Sequence, residues 1–354
     1  MPAPLDQPKQ VGEIPAERLQ VLFVQRRPTG AQMSIERLFA QVRCGLGAGV
    51  DWETLVCPCP SRGLVARLWN MWVAWRASHG KICHLTGDVH YLALVLPRRR
   101  LVLTVHDCAV LHRLQGWRRA LVRWLWYDLP VRRAAVVTTV SAATRDDLRQ
   151  WLAPGMMRKV RVVPNCVWAE FKASPKVWSD GKPVVLQVGT GWNKNLLRVA
   201  AALTGLDCRW WIVGPIAADQ QAMLESFELD YTCLGRLSDE ELVETYRQCD
   251  LLVFASLIEG FGLPILEAQA IGRPVITSNR SSMPEVAGDA ALLVDPEEVT
   301  EIRVAVERVL AEPVLRQLLV ARGFENVKRF GAPAVAGCYE RIYRELAASA
   351  STPT

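Results

Sequence analysis

The stretch SLIEGFGLPILEAQAIGRPV, residues 256–275, places two carboxylates, Glu259 and Glu267, on either side of a bend that holds Gly260, Gly262 and Pro264. The apolar run DLLVFA (250–255) before it reads as a buried strand. Pro264 then opens a helix at the position where proline is best tolerated. In open α/β folds, ligands bind where a strand's carboxyl end hands over to a helix. Gly260 and Gly262 let backbone amides approach such a ligand without an intervening side chain, and the helix N-terminus favours an anion such as phosphate. Phosphate repels a carboxylate, so two carboxylates suit hydroxyls at the two ends of the ligand. A ribose diol at one end and a sugar at the other describe a nucleotide-sugar. Taken singly, each acid has an ordinary reading: Glu267 complements the helix dipole, and Glu259 is a solvated loop residue. Placed together after a strand, they point to the ligand.

Outward from this bend, β-rich runs alternate with helix-length segments. The strand candidates of the first half are 20–24, 53–57, 81–85, 101–105, 135–140 and 160–163. Those of the second are 183–189, 209–214, 231–235, 250–255, 274–277 and 291–294. Runs this apolar, bounded by turn residues, predict parallel strands covered on both faces. The fold class is therefore α/β, with two doubly wound, Rossmann-like parallel-sheet domains. A polar, turn-rich linker at 168–182 divides them into 1–170 and 171–330. Helices are expected at 297–311 and 313–329, with a closing helix in 331–354 that ends near Ala348. Ser238-x-x-Glu241 and Ser282-x-x-Glu285 read as capping boxes.

The chain has 354 residues, 50% hydrophobic and 22% charged, as a globular protein does. No apolar run reaches the length of a membrane span, and the polar, proline-rich start lacks a signal peptide's apolar core. Both features predict a cytoplasmic protein. Most of the ten cysteines stand alone in apolar runs, as small buried hydrophobes do. Charge is split: residues 1–180 carry 26 Lys and Arg against 13 Asp and Glu, and the remainder carries 16 against 23. The basic half calls for an anionic partner.

EGFGLPILEAQAIGRPVITSN resembles the donor-site signature, E-x7-E, of the retaining glycosyltransferases of family 4, also called group 1, in their mannosyltransferase-like subset. The resemblance continues through VGTGWNKNL (188–196), LGRLSDEELVETYRQCDLLVFASL and SSMPEVAGDAALLVDP. In the first half it rests on LTVHD (103–107), TTVSAATRDDL (138–148) and VVPNCV (162–167). It implies the GT-B architecture: a C-terminal domain for the nucleotide-sugar, an N-terminal domain for the acceptor, and a last helix that crosses back to the first domain.

By the resemblance, Glu267 holds the ribose, and Glu259 contacts the transferred sugar as a catalytic residue. The backbone of Gly260, Phe261, Gly262 and Leu263 serves the sugar and diphosphate. Lys194 neutralises the leaving diphosphate, although a lysine there also reads as an ordinary helix-start residue. Thr190-Gly191 stands where the family usually has an arginine, so Arg198 or Arg236 is expected to help. His106, at a strand's carboxyl end beside Asp107, is placed to meet a sugar hydroxyl or a developing charge; its plain reading is a core or capping histidine. His84, Asp88 and His90 in HLTGDVHY are candidates for the acceptor pocket, with Asp107. In the first βα loop, Gly30 alone would permit close approach to the donor.

No Asp-x-Asp occurs in the chain. Metal-independent transfer without a cofactor is therefore expected, with cationic side chains and helix dipoles carrying the leaving group. The expected partners are a nucleotide-diphosphate sugar (GDP-mannose or a UDP-sugar) and a glycan or polyprenyl-diphosphate-linked acceptor in surface polysaccharide assembly, with no nucleic acid. Other readings are a related sugar-nucleotide epimerase and a basic nucleic-acid-binding protein, though the latter has no recognisable motif. A phosphorylase would need a pyridoxal lysine site, of which there is no sign. Segments 62–81 and 113–133 combine arginines with tryptophans; Trp69, Trp72 and Trp75 recur every third residue. They read either as core-facing tryptophans with a solvated arginine face, or as basic amphipathic helices on the anionic inner face of the plasma membrane.

Overall fold

The computed structural model describes residues 18–28, 34–178 and 181–350. Every strand expected from the apolar runs forms. The first sheet holds β1 (Leu19–Gln25), β2 (Val50–Val56), β3 (Ile82–Leu85), β4 (Leu101–Val105), β5 (Val136–Thr139) and β6 (Val160–Val162). The second holds β7 (Val184–Val188), β8 (Arg209–Val213), β9 (Tyr231–Gly235), β10 (Leu251–Phe254), β11 (Val275–Ser278) and β12 (Leu292–Val294). The sheet orders are β2-β1-β3-β4-β5-β6 and β12-β11-β10-β7-β8-β9, and all paired strands run parallel. Each order reverses beside its first strand, which creates a switch point at the strands' carboxyl ends.

Helices cover both faces. The first domain carries α1 (Ser34–Cys44), α2 (Leu64–Ala77), α3 (Ala109–Arg113), α4 (Gly116–Arg123), α5 (Leu129–Arg133) and α6 (Ala142–Trp151). A π-helical turn, Trp124–Asp128, joins α4 to α5 in one run. The second carries α7 (Leu196–Leu203), α8 (Ala218–Glu225), α9 (Asp239–Gln248), α10 (Leu263–Ile271) and α11 (Met283–Ala287). Then follow α12 (Val299–Ala311), α13 (Pro313–Val327) and α14 (Ala332–Ala350).

α14 returns to the first domain. Its Val335, Tyr339 and Tyr343 are buried with Phe23 of β1 and Leu38 and Phe39 of α1. The opposite face of that sheet has its own cluster, in which Ala74, Leu92, Tyr127 and Val131 are buried. The chain's two crossings between domains lie side by side, tied by the Val167 amide donating to the Phe330 carbonyl at 2.9 Å. Trp168 and Phe171 then pack into the core of the second domain.

One capping box forms as expected and one does not. At α9, the Glu241 amide donates to Ser238 Oγ and the Ser238 amide donates to Glu241 Oε2, at 3.2 and 2.7 Å. At α11, Pro284 occupies the first turn but Ser282 makes no cap. Its hydroxyl instead donates to the Phe261 carbonyl, and Glu285 reaches across to the other domain. A partner outside the helix outcompetes the local one. The tryptophans of α2 are likewise not core-facing: Trp69, Trp72 and Trp75 are all exposed.

Candidate active site in the interdomain cleft

The bend after β10 lies on the wall of a cleft of about 820 Å³ between the two domains. Glu259, Gly260, Asn193 and Trp192 line it from the second domain; Asp107, His112 and Asp147 line it from the first. Gly262 caps α10 in the left-handed conformation, with Pro264 in the first turn.

Lys194 reaches this bend from a short 3-10 turn that follows β7. Its aliphatic stem lies over Gly189, where an added Cβ would meet Lys194 Cε at 2.7 Å, so glycine is required for this path. Lys194 Nζ donates to Glu259 Oε1 at 2.6 Å and sits 4.5 Å from the centre of the Phe254 ring. Asn193 Nδ2 donates to the same carboxylate oxygen at 3.1 Å and to the Ile258 carbonyl at 2.9 Å. Both partners of the ion pair are largely shielded from water. An ammonium has three donors and Glu259 takes one, so Lys194 retains hydrogen-bonding capacity for a further acceptor.

Glu267 lies one turn inside α10 rather than in its first turn, and it is buried. Burial raises its carboxyl to about 7, against the opposing pull of the Tyr246 hydroxyl and the Lys194 charge. Tyr246 Oη donates to Glu267 Oε2 at 2.7 Å.

The first domain grips the bend directly. The Gly260 carbonyl accepts hydrogen bonds from Ser141 Oγ at 2.7 Å and Thr144 Oγ1 at 2.9 Å. A Cβ at Gly260 would lie 2.3 Å from the His106 carbonyl, closer than any side chain tolerates. The Ala142 amide, at the start of α6, donates to both oxygens of Glu285 at 2.8 and 3.1 Å. Burial at this contact raises the Glu285 carboxyl above its ordinary range. On the second domain, Ser281 and Ser282 hydroxyls donate to the Glu259 carbonyl at 2.7 and 3.1 Å.

The structure brings Glu259, Gly260 and Asp107 to the cleft, with Lys194 bonded to Glu259. The other expected residues are placed differently. His106 is turned inward, with Nε2 donating to the Thr86 carbonyl at 2.8 Å and the ring edge-on to Phe39. Phe261 is buried against Phe330, and Leu263 is half-buried as the first residue of α10. Arg198 bonds Asn195 Oδ1 at 3.1 Å, and Arg236 is exposed beyond β9.

Two acceptor-side expectations are corrected. His84 is fully buried, clasped by Tyr343 Oη and Thr104 Oγ1 at 2.7 Å each, and burial pushes its imidazole down to about 3. It links α14 to the sheet. His90 is buried with Nδ1 donating to the Trp126 carbonyl at 2.7 Å, and it lines no part of the cleft. Asp88 is exposed but paired with Arg26 at 2.9 Å. Gly30 lies outside the described residues.

Sequence reasoning found Asp107 on the first domain's wall and missed the rest of it. His112 Nε2 meets both oxygens of Asp147 at 2.8 and 2.9 Å, and Trp151 Nε1 donates to Asp147 Oδ1 at 3.2 Å. Asp147 and Trp151 share a helix face four residues apart, but the partner 35 positions earlier gives no local signal. Ser141, Thr144, Asn193 and Glu285 were also missed as site residues.

Residues 170–325 match the family described as glycosyl transferases group 1, and residues 52–171 match glycosyltransferase family 4. The chain belongs to the family 4, group 1 glycosyltransferases. Among its relatives, the O-antigen chain mannosyltransferase B of Escherichia coli is 43% identical over 97 residues, 27% of this chain and 26% of that protein. The MMP alpha-(1->4)-mannosyltransferase of Mycolicibacterium hassiacum is 40% identical over 259 residues, 66% of this chain and 62% of that protein. The chain thus spans from about a quarter to under two thirds of these relatives' lengths. Two solved structures superpose along nearly the whole chain. Sucrose-phosphate synthase from Thermosynechococcus elongatus gives a TM-score of 0.75 at 18% identity, covering 94% of this chain and 100% of that one. Anabaena HepE, solved with UDP and glucose, gives 0.72 at 17%, covering 93% and 100%. The fold of this family member is GT-B, two six-stranded parallel sheets facing a cleft with the last helix returned to the first.

Proposed function

We propose that the protein is a retaining glycosyltransferase that moves a hexose from a nucleotide-diphosphate sugar to a hydroxyl of a glycan or lipid-linked acceptor in surface polysaccharide assembly. One observation carries the reading: Glu259 lines the cleft where β10 hands over to α10, and Lys194, shielded with it, bonds its carboxylate at 2.6 Å. In the reaction, the bond from the sugar's anomeric carbon to the diphosphate oxygen breaks. The acceptor hydroxyl oxygen bonds to that carbon, and its proton passes to the departing diphosphate oxygen. Lys194 and the amides of the bend stabilise the charge gathering on the departing diphosphate. Glu259 faces the transferred sugar, and Glu267 holds the ribose.

Mannosyltransferase relatives favour a mannose donor, and the UDP in HepE keeps a UDP-sugar in view. The acceptor side is the wall of Asp107, His112 and Asp147. Transfer without a divalent metal goes with this reading, as do a cytoplasmic location and peripheral attachment at a membrane. No helix among the described residues is long and apolar enough to cross one.

The test is transfer from radiolabelled GDP-mannose, UDP-glucose and UDP-galactose to a polyprenyl-diphosphate-linked glycan. Label should enter the acceptor with retained anomeric configuration. Donor epimerisation without acceptor, or transfer unaffected by Glu259→Ala, would refute the reading.

A further inference from the structure

We propose that the outer surface of α2 and α4 is a docking face for an anionic lipid bilayer, which holds the cleft beside the membrane. The two helices cover the same side of the first sheet. Ala74 of α2 shares a buried cluster with Tyr127 and Val131 of the α4–α5 run, with Met71 and Trp126 packed against it. The Arg67 guanidinium lies 5.2 Å from the Trp126 ring and 5.8 Å from Tyr91, so α2 rests against the π-helical turn that continues α4.

The outside of that layer is apolar and aromatic. Trp69, Trp72 and Trp75 are 50%, 45% and 50% exposed, and Trp117 and Trp124 are 72% and 51% exposed. Leu64, Val65, Leu68 and Leu121 are exposed with them. Exposed tryptophans and leucines gathered on neighbouring helices, with Trp69 and Trp72 stacked at 4.9 Å, mark a surface that a partner covers. Tryptophan, apolar in body with one polar N–H, is the side chain best suited to the headgroup region of a bilayer.

Charge selects the partner. Segment 62–81 has no acid, and the one acid of 113–133, Asp128, is buried and held by Arg123 at 3.3 Å. Arg62, Arg76, Arg113, Arg118 and Arg132 are exposed and form no ion pair among the described residues. Arg76 and Arg118 lie against the rings of Trp72 and Trp117, at 5.8 and 5.7 Å, so cation and aromatic ring share one plane of contact. A symmetric contact between two copies would set these arginines against one another, which like charges oppose. A bilayer of anionic lipids satisfies both the arginines and the tryptophans.

The face also leads into the cleft. Arg113 ends α3 on the cleft wall, and only residues 114–115 separate it from α4. An acceptor anchored in the bilayer would enter from this edge.

The experiment is sedimentation of the full chain, without donor, with vesicles of phosphatidylcholine alone or mixed with phosphatidylglycerol. We expect binding to the anionic vesicles only, a blue shift of tryptophan emission, and release by salt. Each basic residue near an anionic surface is worth roughly fivefold in partitioning, so Arg76→Gln with Arg118→Gln should weaken binding roughly thirtyfold. The triple change Trp69→Ser, Trp72→Ser, Trp75→Ser should weaken it by more than about tenfold; if that variant misfolds, the arginine pair alone carries the test. Equal binding to neutral vesicles, binding indifferent to the arginine pair, or self-association that the triple change abolishes would overturn the proposal. The readout needs no donor, so its failure leaves the transferase reading intact, and failure of transfer leaves the docking face intact.

Discussion

At the residue scale, the proposed chemistry rests on Lys194 and Glu259. Removing one electrostatic stabiliser of a leaving group typically costs about 10²–10³ in rate. Lys194→Ala and Glu259→Ala should each lose transfer on that scale in a turnover assay and still give a folded spectrum; near-normal rates in both would contradict the assignment. Glu267 makes a prediction of a different kind. Its carboxyl is raised to about 7 in the fold from an ordinary value near 4.5. Between these limits the folded state keeps a proton that the unfolded state has released, so stability falls as pH rises through that window. The loss amounts to about 3 kcal/mol. Glu267→Gln cannot ionise, so its unfolding midpoint in denaturant should decline less than the wild type's between pH 5 and pH 8. Parallel declines would show that Glu267 is not held protonated. Glu267's place in the sequence was legible but its burial was not, because Tyr246 comes from a helix twenty-one positions away.

At the element scale, the bend between β10 and α10 is held from two domains. Gly260→Ala would place a methyl 2.3 Å from the His106 carbonyl. The second domain should fold unchanged while the first is pushed off the bend. Transfer should fall by about tenfold or more, since a displacement of 1 Å at a reacting centre costs about 10². Full activity would show that the contact of α6 with the bend is not needed. The strand and helix plan was readable because each apolar run has the length and boundaries of one element. Glu241 formed its predicted cap because nothing outside the helix competes for it. Glu285, in the same sequence pattern, was misread because the Ala142 amide lies 143 positions away. His84 and His90 were misread for a related reason: a histidine at a strand end looks alike in sequence whether it faces a cleft or a returning helix. Here α14 brings Tyr343 onto His84. The tryptophans of α2 recur at a helical period that suits either core or surface, and the neighbouring π-helical turn gives no sequence signal of which.

At the scale of the whole molecule, the two sheets face one cleft, with the β10–α10 bend on one wall and the His112–Asp147 pair on the other. In the proposed reaction, cationic groups and amides take the role that a metal plays elsewhere. Transfer should therefore proceed undiminished in EDTA, and strict dependence on added Mg²⁺ or Mn²⁺ would contradict that. The central claim is that an activated sugar's diphosphate sits at Lys194, between the domains. The most direct measurement is the thermal unfolding midpoint of the full chain with GDP-, UDP- and dTDP-sugars, for the wild type and for Lys194→Ala. A ligand at 100 times its dissociation constant stabilises by about 2.7 kcal/mol. One donor class should raise the wild-type midpoint by several degrees and leave Lys194→Ala nearly unmoved. No shift with any donor, or an equal shift in both proteins, would contradict the account.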